Sequence, residues 1–280
     1  VSPRAAAERR APATPAAPPA RRRRTSPAAA LNPRVWLPTV VVLLVAGVVW
    51  ERVAVADPYV LPRLAAVGEQ LAGDPGFYLR NAGTTLLEAL LGLALGAAAA
   101  LVVAVVVSES VLARRAVMPL AVILNVTPVV AIAPALTVAF GFGYLPRVLV
   151  AALTTFFPVL MNTATGLRSV RREVLQVFRT VHASRWDVLL RLRFPSALPF
   201  VFAALRVVFP LSLVGAIVAE FSAAGATAGL GTVIKVAASN SQLDRVFASI
   251  ACLALMGALL LLVVTGVERR VLSWHSSQER

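Results

Sequence analysis

Lysine is almost missing from this chain: Lys235 is the only one in 280 residues, and the rest of the basic charge is arginine. A phosphate-binding loop of the Gly-x-x-x-x-Gly-Lys-Ser/Thr kind needs a lysine after glycine, and Lys235 follows Ile234. ATP hydrolysis by this chain itself is therefore not expected. Cysteine is equally scarce. Cys252 stands alone in an apolar run, which excludes an intrachain disulfide framework and suits a small packing or lipid-side residue. The two histidines, His182 and His275, lie far apart and share no metal-ligand spacing with Cys252. No cluster of polar groups suggests covalent or acid–base catalysis. The expectation is a non-enzyme with no catalytic residue, no metal and no cofactor of its own.

What is present in quantity is apolar side chain. Residues of the apolar classes make up 59% of the sequence, against roughly 45–50% in soluble domains. An all-α integral membrane protein follows. Six runs have near-spanning length: Val35–Trp50, Leu86–Val107, Ala116–Phe140, Val148–Leu167, Leu198–Ala219 and Val246–Val267. The formal charge of +14 is confined to the segments between them. Eight arginines precede residue 35, Arg114 and Arg115 form a pair, seven fall from Arg168 to Arg193, and three follow residue 268. A basic soluble protein would suggest nucleic acid, but cations alternating with membrane-length segments read better as cytoplasmic loops. On that rule the amino and carboxyl termini and the loops 108–116 and 168–197 lie inside.

Residues 1–34 are mostly alanine, proline and arginine and hold too little apolar surface to offset ordering, so a disordered basic cytoplasmic tail is expected. No short apolar core precedes Val35, so a secretory signal is not expected there. Residues 35–80 should form the first transmembrane helix and an outer loop, with one short interfacial helix between Asp57 and Gly76. Residues 81–270 are expected to be the main transmembrane domain, and 271–280 a second cytoplasmic tail.

The segment from Arg168 to Pro199 is the most distinctive. Val174, Val177, Phe178 and Val181 recur at helical spacing, with Arg171, Arg172 and Arg179 off that stripe, predicting a short amphipathic helix. Ser184 followed by Asp187 three residues on predicts a capped second helix beginning near Arg185. Pro195 is expected to end or kink it before the next apolar run.

Polar residues inside apolar runs are costly in lipid and so informative. Glu88 either lines a path or reaches the interface. Arg206 is expected to pair or snorkel rather than touch a solute. Glu220 is either a gate or an interfacial cap. Asn125-Val126-Thr127-Pro128 and Pro134 interrupt the third run, and Pro158 with Asn162 the fourth, which makes Asn125, Thr127 and Asn162 candidates for lining a path. Gly92, Gly96 and Ala97–Ala100 are read as a close helix-packing surface.

The Arg168–Pro199 segment resembles the cytoplasmic loop of binding-protein-dependent ABC importer permeases. Gln176-Val177-Phe178 stands where that family has Glu-Ala-Ala, His182 where it has glycine, and Leu192-Arg193-Phe194-Pro195 matches the end of the motif. Histidine is among the non-glycine residues that tolerate a left-handed backbone. Ala183-Ser184-Arg185-Trp186, Leu205-Arg206, Val218-Ala219-Glu220 and Gly229-Leu230-Gly231 are similar to the branch for nitrate, sulfonates, taurine and pyrimidine precursors of thiamine. The resemblance covers about residues 81–270. It implies a six-helix, type I importer-like bundle with a cytoplasmic coupling helix, in a bacterial-type plasma (inner) membrane. Its implied partners are two copies of an ATP-binding subunit, which would carry ATP and Mg, an extracytoplasmic solute-binding protein, and a second copy of the chain as a homodimer. Docking of the ATPase would fall on Gln176, His182, Ser184, Arg185, Trp186, Asp187, Leu192, Phe194 and Pro195, and the pathway on Asn125, Thr127, Asn162, Glu88 and Glu220. The competing reading is a self-contained secondary carrier or channel, which would normally show more intramembrane ionisable residues.

Overall fold

The computed structural model describes residues 33–222 and 228–271, apart from the side chains of residues 33–35 and 179. The expected tails at 1–34 and 271–280 fall almost wholly outside the described residues. The chain divides into two units, one up to Arg52 and one from Val53 onward.

Helix α1 (Pro33–Ala56), most of which belongs to the first unit, outruns the expected span at its carboxyl end. Its 24 residues rise roughly 36 Å, enough for a hydrocarbon core of about 30 Å. Val42, Leu43 and Leu44 are about two-thirds exposed, a surface suited to lipid.

The second unit begins with a short helix, α2 (Leu64–Gly73), within the segment where one was expected. Helix α3 (Pro75–Glu109) follows at once. Asp74 caps it by accepting from the Phe77 amide at 2.8 Å, with Pro75 in the first turn. The span expected from Leu86, and the domain boundary expected after residue 80, both fall inside this unbroken helix. Hydropathy marks where a helix turns apolar, not where it begins: Arg80, Asn81, Thr84 and Thr85 form polar early turns of the same rod. Helix α4 (Val111–Val126) and helix α5 (Val129–Phe140) replace the third span as a pair bent by 98°. The break falls at the anticipated Thr127-Pro128, where proline offers no amide and the Thr127 hydroxyl donates to the Ile123 carbonyl at 2.9 Å. Pro134, by contrast, is absorbed within α5.

Helix α6 (Tyr144–Leu167) is continuous, so the interruption expected at Pro158 and Asn162 does not occur. Asn162 donates its amide to the Pro158 carbonyl at 2.8 Å and lends that turn a side-chain bond. Helix α7 (Arg172–Thr180) is the anticipated amphipathic helix. Helix α8 (Arg185–Asp187) begins where the serine cap placed it and passes through a π-helical turn (Val188–Arg193) into helix α9 (Phe194–Ser222). Pro195 therefore does not end the helix. The wider turn, in which the Phe194 amide reaches the Leu189 carbonyl, shifts the register just before the proline. Helices α10 (Leu230–Ser239) and α11 (Leu243–Val271) complete the unit. At ten residues, or about 15 Å, α10 is too short to span.

Among the described residues five helices are long and apolar enough to cross a membrane, and the bent α4–α5 pair makes a sixth span if it crosses as one. The centre of the unit is the packing of α3 on α6 and α6 on α9. Gly92 and Gly96 allow the first of these contacts: a Cβ at Gly92 would stand 2.4 Å from the Ala151 Cβ, and one at Gly96 2.4 Å from the Ala152 carbonyl oxygen. Leu93, Ala100, Leu160, Leu167, Ala204 and Val208 fill the core around this crossing.

Candidate functional site

Two polar regions lie at opposite ends of α9. The first is the hairpin of α7 and α8. Helix α7 ends in a Schellman-type closure: the Ala183 amide donates to the Phe178 carbonyl at 3.0 Å, and His182 takes the left-handed position with φ 50°. Histidine thus occupies the backbone conformation for which glycine is usual. Ser184 then caps α8 by accepting from the Asp187 amide at 3.1 Å. The return contact differs from a full capping box, because Asp187 accepts from the Ser184 hydroxyl at 2.6 Å rather than from its backbone. Arg191 lies 3.4 Å from the other Asp187 oxygen.

Buried Leu189 roots this segment in the core, and Arg193 pairs with Glu109 at the end of α3. The outward side chains are apolar to an unusual degree. Trp186 is 69% exposed, and Val177, Val181 and Leu190 are similarly open. Gln176 and Arg185 are exposed, Leu192 and Pro195 half-buried, and Phe194 exposed. The hairpin therefore offers a surface of exposed apolar and cationic groups on a rigid root. Further along α9, Arg206 pairs with Glu268 of α11 at 2.5 Å, one of the two arrangements anticipated for it.

The second region is closed. Glu88 on α3 is fully buried and accepts from Arg147 of α6 at 2.6 Å. Arg147, itself buried, also lies over the Tyr144 ring at 5.8 Å. Beside Glu88 lies Glu220, at the end of α9 and likewise 0% exposed. One oxygen of Glu220 accepts from the Thr85 hydroxyl at 2.7 Å, and the other from the amides of Gly231 and Thr232 at 2.5 and 3.1 Å. Thr85 in turn accepts from the Leu230 amide at 2.8 Å, and Asn81 from the Gly229 amide at 2.9 Å. Four successive amides at the start of α10 thus find side-chain acceptors on α3 and α9. The first amides of any helix lack intrahelical partners and carry partial positive charge. Here two of them face the Glu220 carboxylate, while Arg147 is bonded to Glu88.

Glu88 and Glu220, for each of which the sequence leaves open a pathway or an interfacial position, are both fully buried in this chain. Both are withdrawn from every surface, because in an apolar surround a carboxylate is tolerable only when its partners enclose it. Arg147, one residue before an apolar run, is a member of this group that the sequence analysis does not single out. The available signal was an isolated acid inside one span and an isolated base at the head of another. Of the remaining pathway candidates, Asn125 is exposed and borders a cleft of about 200 Å³ shared with Thr154, Phe156, Phe157 and Leu211. Thr127 and Asn162 are turned back onto their own helices by the bonds already described. Among the described residues no group of histidine, cysteine and acidic side chains could hold a metal.

The family model of the binding-protein-dependent transport system inner membrane component matches residues 92–273. The chain belongs to this family. It is 32% identical over 234 residues to the formylaminopyrimidine transport permease protein ThiX of Halalkalibacterium halodurans, covering 82% of this chain and 93% of that protein. It is 31% identical to the putative aliphatic sulfonates transport permease protein SsuC of Bacillus subtilis, covering 70% of each. With the taurine transport system permease protein TauC of Escherichia coli it shares 30% identity, covering 81% of this chain and 86% of that one. The chain is a permease subunit of an ABC importer, a multi-pass membrane protein and a transport component rather than an enzyme. The self-contained carrier gives way to this reading: the permease works with a separate ATPase and a solute-binding protein.

Proposed function

We propose that the permease docks its ATP-binding subunits through the α7–α8 hairpin, with Trp186 as apolar anchor and Arg185 as a polar rim contact. One observation carries this: a tryptophan 69% exposed on a segment whose neighbour Leu189 is buried in the core. Exposed aromatic side chains on rigid elements are the usual anchors of protein interfaces. His182 and Ser184 set the hairpin's shape, and Gln176, Asp187, Leu192, Phe194 and Pro195 complete the docking segment. ATP and Mg are bound by the partner, since Lys235 is not preceded by glycine.

In the same reading the permease works as a homodimer beneath which two ATP-binding subunits sit, and both termini face the cytoplasm together with the arginine-rich loops. Residues 1–34 and 271–280 are its cytoplasmic tails. An extracytoplasmic binding protein delivers the solute, a nitrate-, sulfonate- or taurine-like anion or a pyrimidine precursor, as the names of the relatives suggest. The solute path runs between the two copies, and Asn125 at the α4–α5 break faces it.

The test is Trp186→Glu in the full complex. Loss of a buried aromatic anchor costs on the order of 2 kcal/mol or more, so co-purification of the ATP-binding subunit should fall by more than about tenfold while membrane insertion is unchanged. Undiminished co-purification would reject the docking segment. Labelling of a cysteine placed at Trp186 from the outer side would reject the orientation.

A further inference from the structure

The closed polar region has an arrangement that burial alone does not demand. Glu220 stands in the last turn of α9, the helix that continues without a stop from the docking segment through the π-helical turn. Its carboxylate does not pair with the only buried arginine in direct reach of Glu88; it holds the start of a different helix. The fit between Glu220 and α10 leaves no room for side chains. Gly229 has φ 118°, a conformation L-residues rarely adopt, and a Cβ there would stand 2.4 Å from the Glu220 carboxyl carbon. A Cβ at Gly231 would come within 2.7 Å of the carboxylate. The turn is moulded on the acid. Asn81 and Thr85 close the other side, and Asn81 is itself held by donating to the Phe77 carbonyl at 2.8 Å.

The far end of α10 is quite different. It runs into a tight turn at Asn240 and Ser241, the latter with φ 56°, before α11 begins. This turn borders a polar cleft of about 530 Å³ lined also by Tyr59, Gln70, Asp244 and Arg245. Tyr59 is almost fully exposed. One end of α10 is thus fixed to α9 and α3 by four side-chain bonds, and the other forms the wall of an open cleft.

We propose that Glu220 is a positioning residue that gears α10 to α9, so that displacement of the docking segment is delivered to the cleft at the α10–α11 turn. Rigid elements transmit movement only through contacts that stay intact during it. A carboxylate accepting two backbone amides and a hydroxyl is such a contact, since charge-assisted bonds are roughly twice as strong as neutral ones. When the ATP-binding subunits move α8, α9 carries Glu220, and the amino end of α10 follows. Without the carboxylate, α9 moves and α10 lags, and ATP is hydrolysed without opening or closing the cleft. This inference rests on the docking reading for the source of the movement.

Glutamine in place of Glu220 keeps shape but turns an amide donor toward the amides of Gly231 and Thr232, or toward the Thr85 hydroxyl. The experiment measures solute taken up per ATP hydrolysed in proteoliposomes holding the intact complex with its binding protein, for Glu220→Gln, Thr85→Val and Thr85→Ser. Gearing predicts that Glu220→Gln retains ATP hydrolysis while the transport ratio falls about tenfold or more. Thr85→Val should fall between, and Thr85→Ser, which keeps the hydroxyl, should match the unaltered chain. Hydrolysis and uptake falling in parallel, at an unchanged ratio, would overturn the proposal, because that is what a merely structural role produces. If Glu220→Gln fails to assemble, the ratio for Thr85→Val against Thr85→Ser decides alone. Failure of the docking reading is distinguishable, since it appears as undiminished co-purification in Trp186→Glu and leaves the transport ratio of assembled Glu220 and Thr85 variants open to measurement.

Discussion

The hairpin at the start of α9 and the clasp at its end use the same residue types in opposite ways. In the hairpin, arginines and carboxylates are exposed and a tryptophan is left uncovered, while at the clasp Glu88, Glu220 and Thr85 are 0% exposed. The first arrangement leaves surface for something outside the chain. The second turns its groups inward on one another, leaving only Arg147 Nε and Glu88 Oε2 of the pair without a partner, so they are committed to holding α3, α6, α9 and α10 together. Charge by itself therefore says little about function in this permease; enclosure decides.

The contrast can be broken most sharply at Arg147. Replacing it with alanine strands Glu88 in an apolar interior, and breaking a buried pair costs about 3–5 kcal/mol. Thermal unfolding of the purified permease should show a large drop for Arg147→Ala, and the double variant with Glu88→Leu should recover most of it. An Arg147→Ala protein as stable as the unaltered chain would mean that the pair is not enclosed. Gly96→Ala is next. Its new methyl would meet the Ala152 carbonyl at 2.4 Å, and overpacking of this kind costs about 1–3 kcal/mol, read in the same melts.

Effects in the hairpin should be smaller for stability. Ser184→Ala removes a helix cap worth about 1 kcal/mol, and hydrogen exchange should show faster opening of α8 with little change in global unfolding. Arg206→Ala should cost under about 1 kcal/mol, as half-exposed ion pairs do. If Arg206→Ala were as damaging as Arg147→Ala, enclosure would not be the deciding variable.

Much of this was legible in the sequence. The arginine clusters located the hairpin, Ser184 located the start of α8, and the left-handed turn at His182 followed from its place in the family motif. The break at Thr127-Pro128 was legible because a proline without an amide sits beside a threonine able to close the preceding turn. Other features were not. Pro195 was expected to end or kink the helix; it does not end it, because a π-helical turn accommodates it, and nothing local in Val188–Arg193 announces that wider register. The early start of α3 was hidden because polar residues at its head lower the hydropathy without interrupting the helix. Arg147 was hidden for the complementary reason: one charge beside an apolar run reads as a loop residue until its partner is known.

The sequence by itself determined which segments are apolar enough for lipid, where positive charge gathers, and that a nucleotide-binding loop of the common kind is missing. These are properties of composition and of short spacings, which each segment carries wherever it is placed. Only the tertiary structure decided that Glu88 meets Arg147, 59 residues away, and that Glu220 receives the head of α10. Those meetings depend on how closely α3, α6 and α9 approach, and that distance is set by glycine contacts between helices, which no single segment contains.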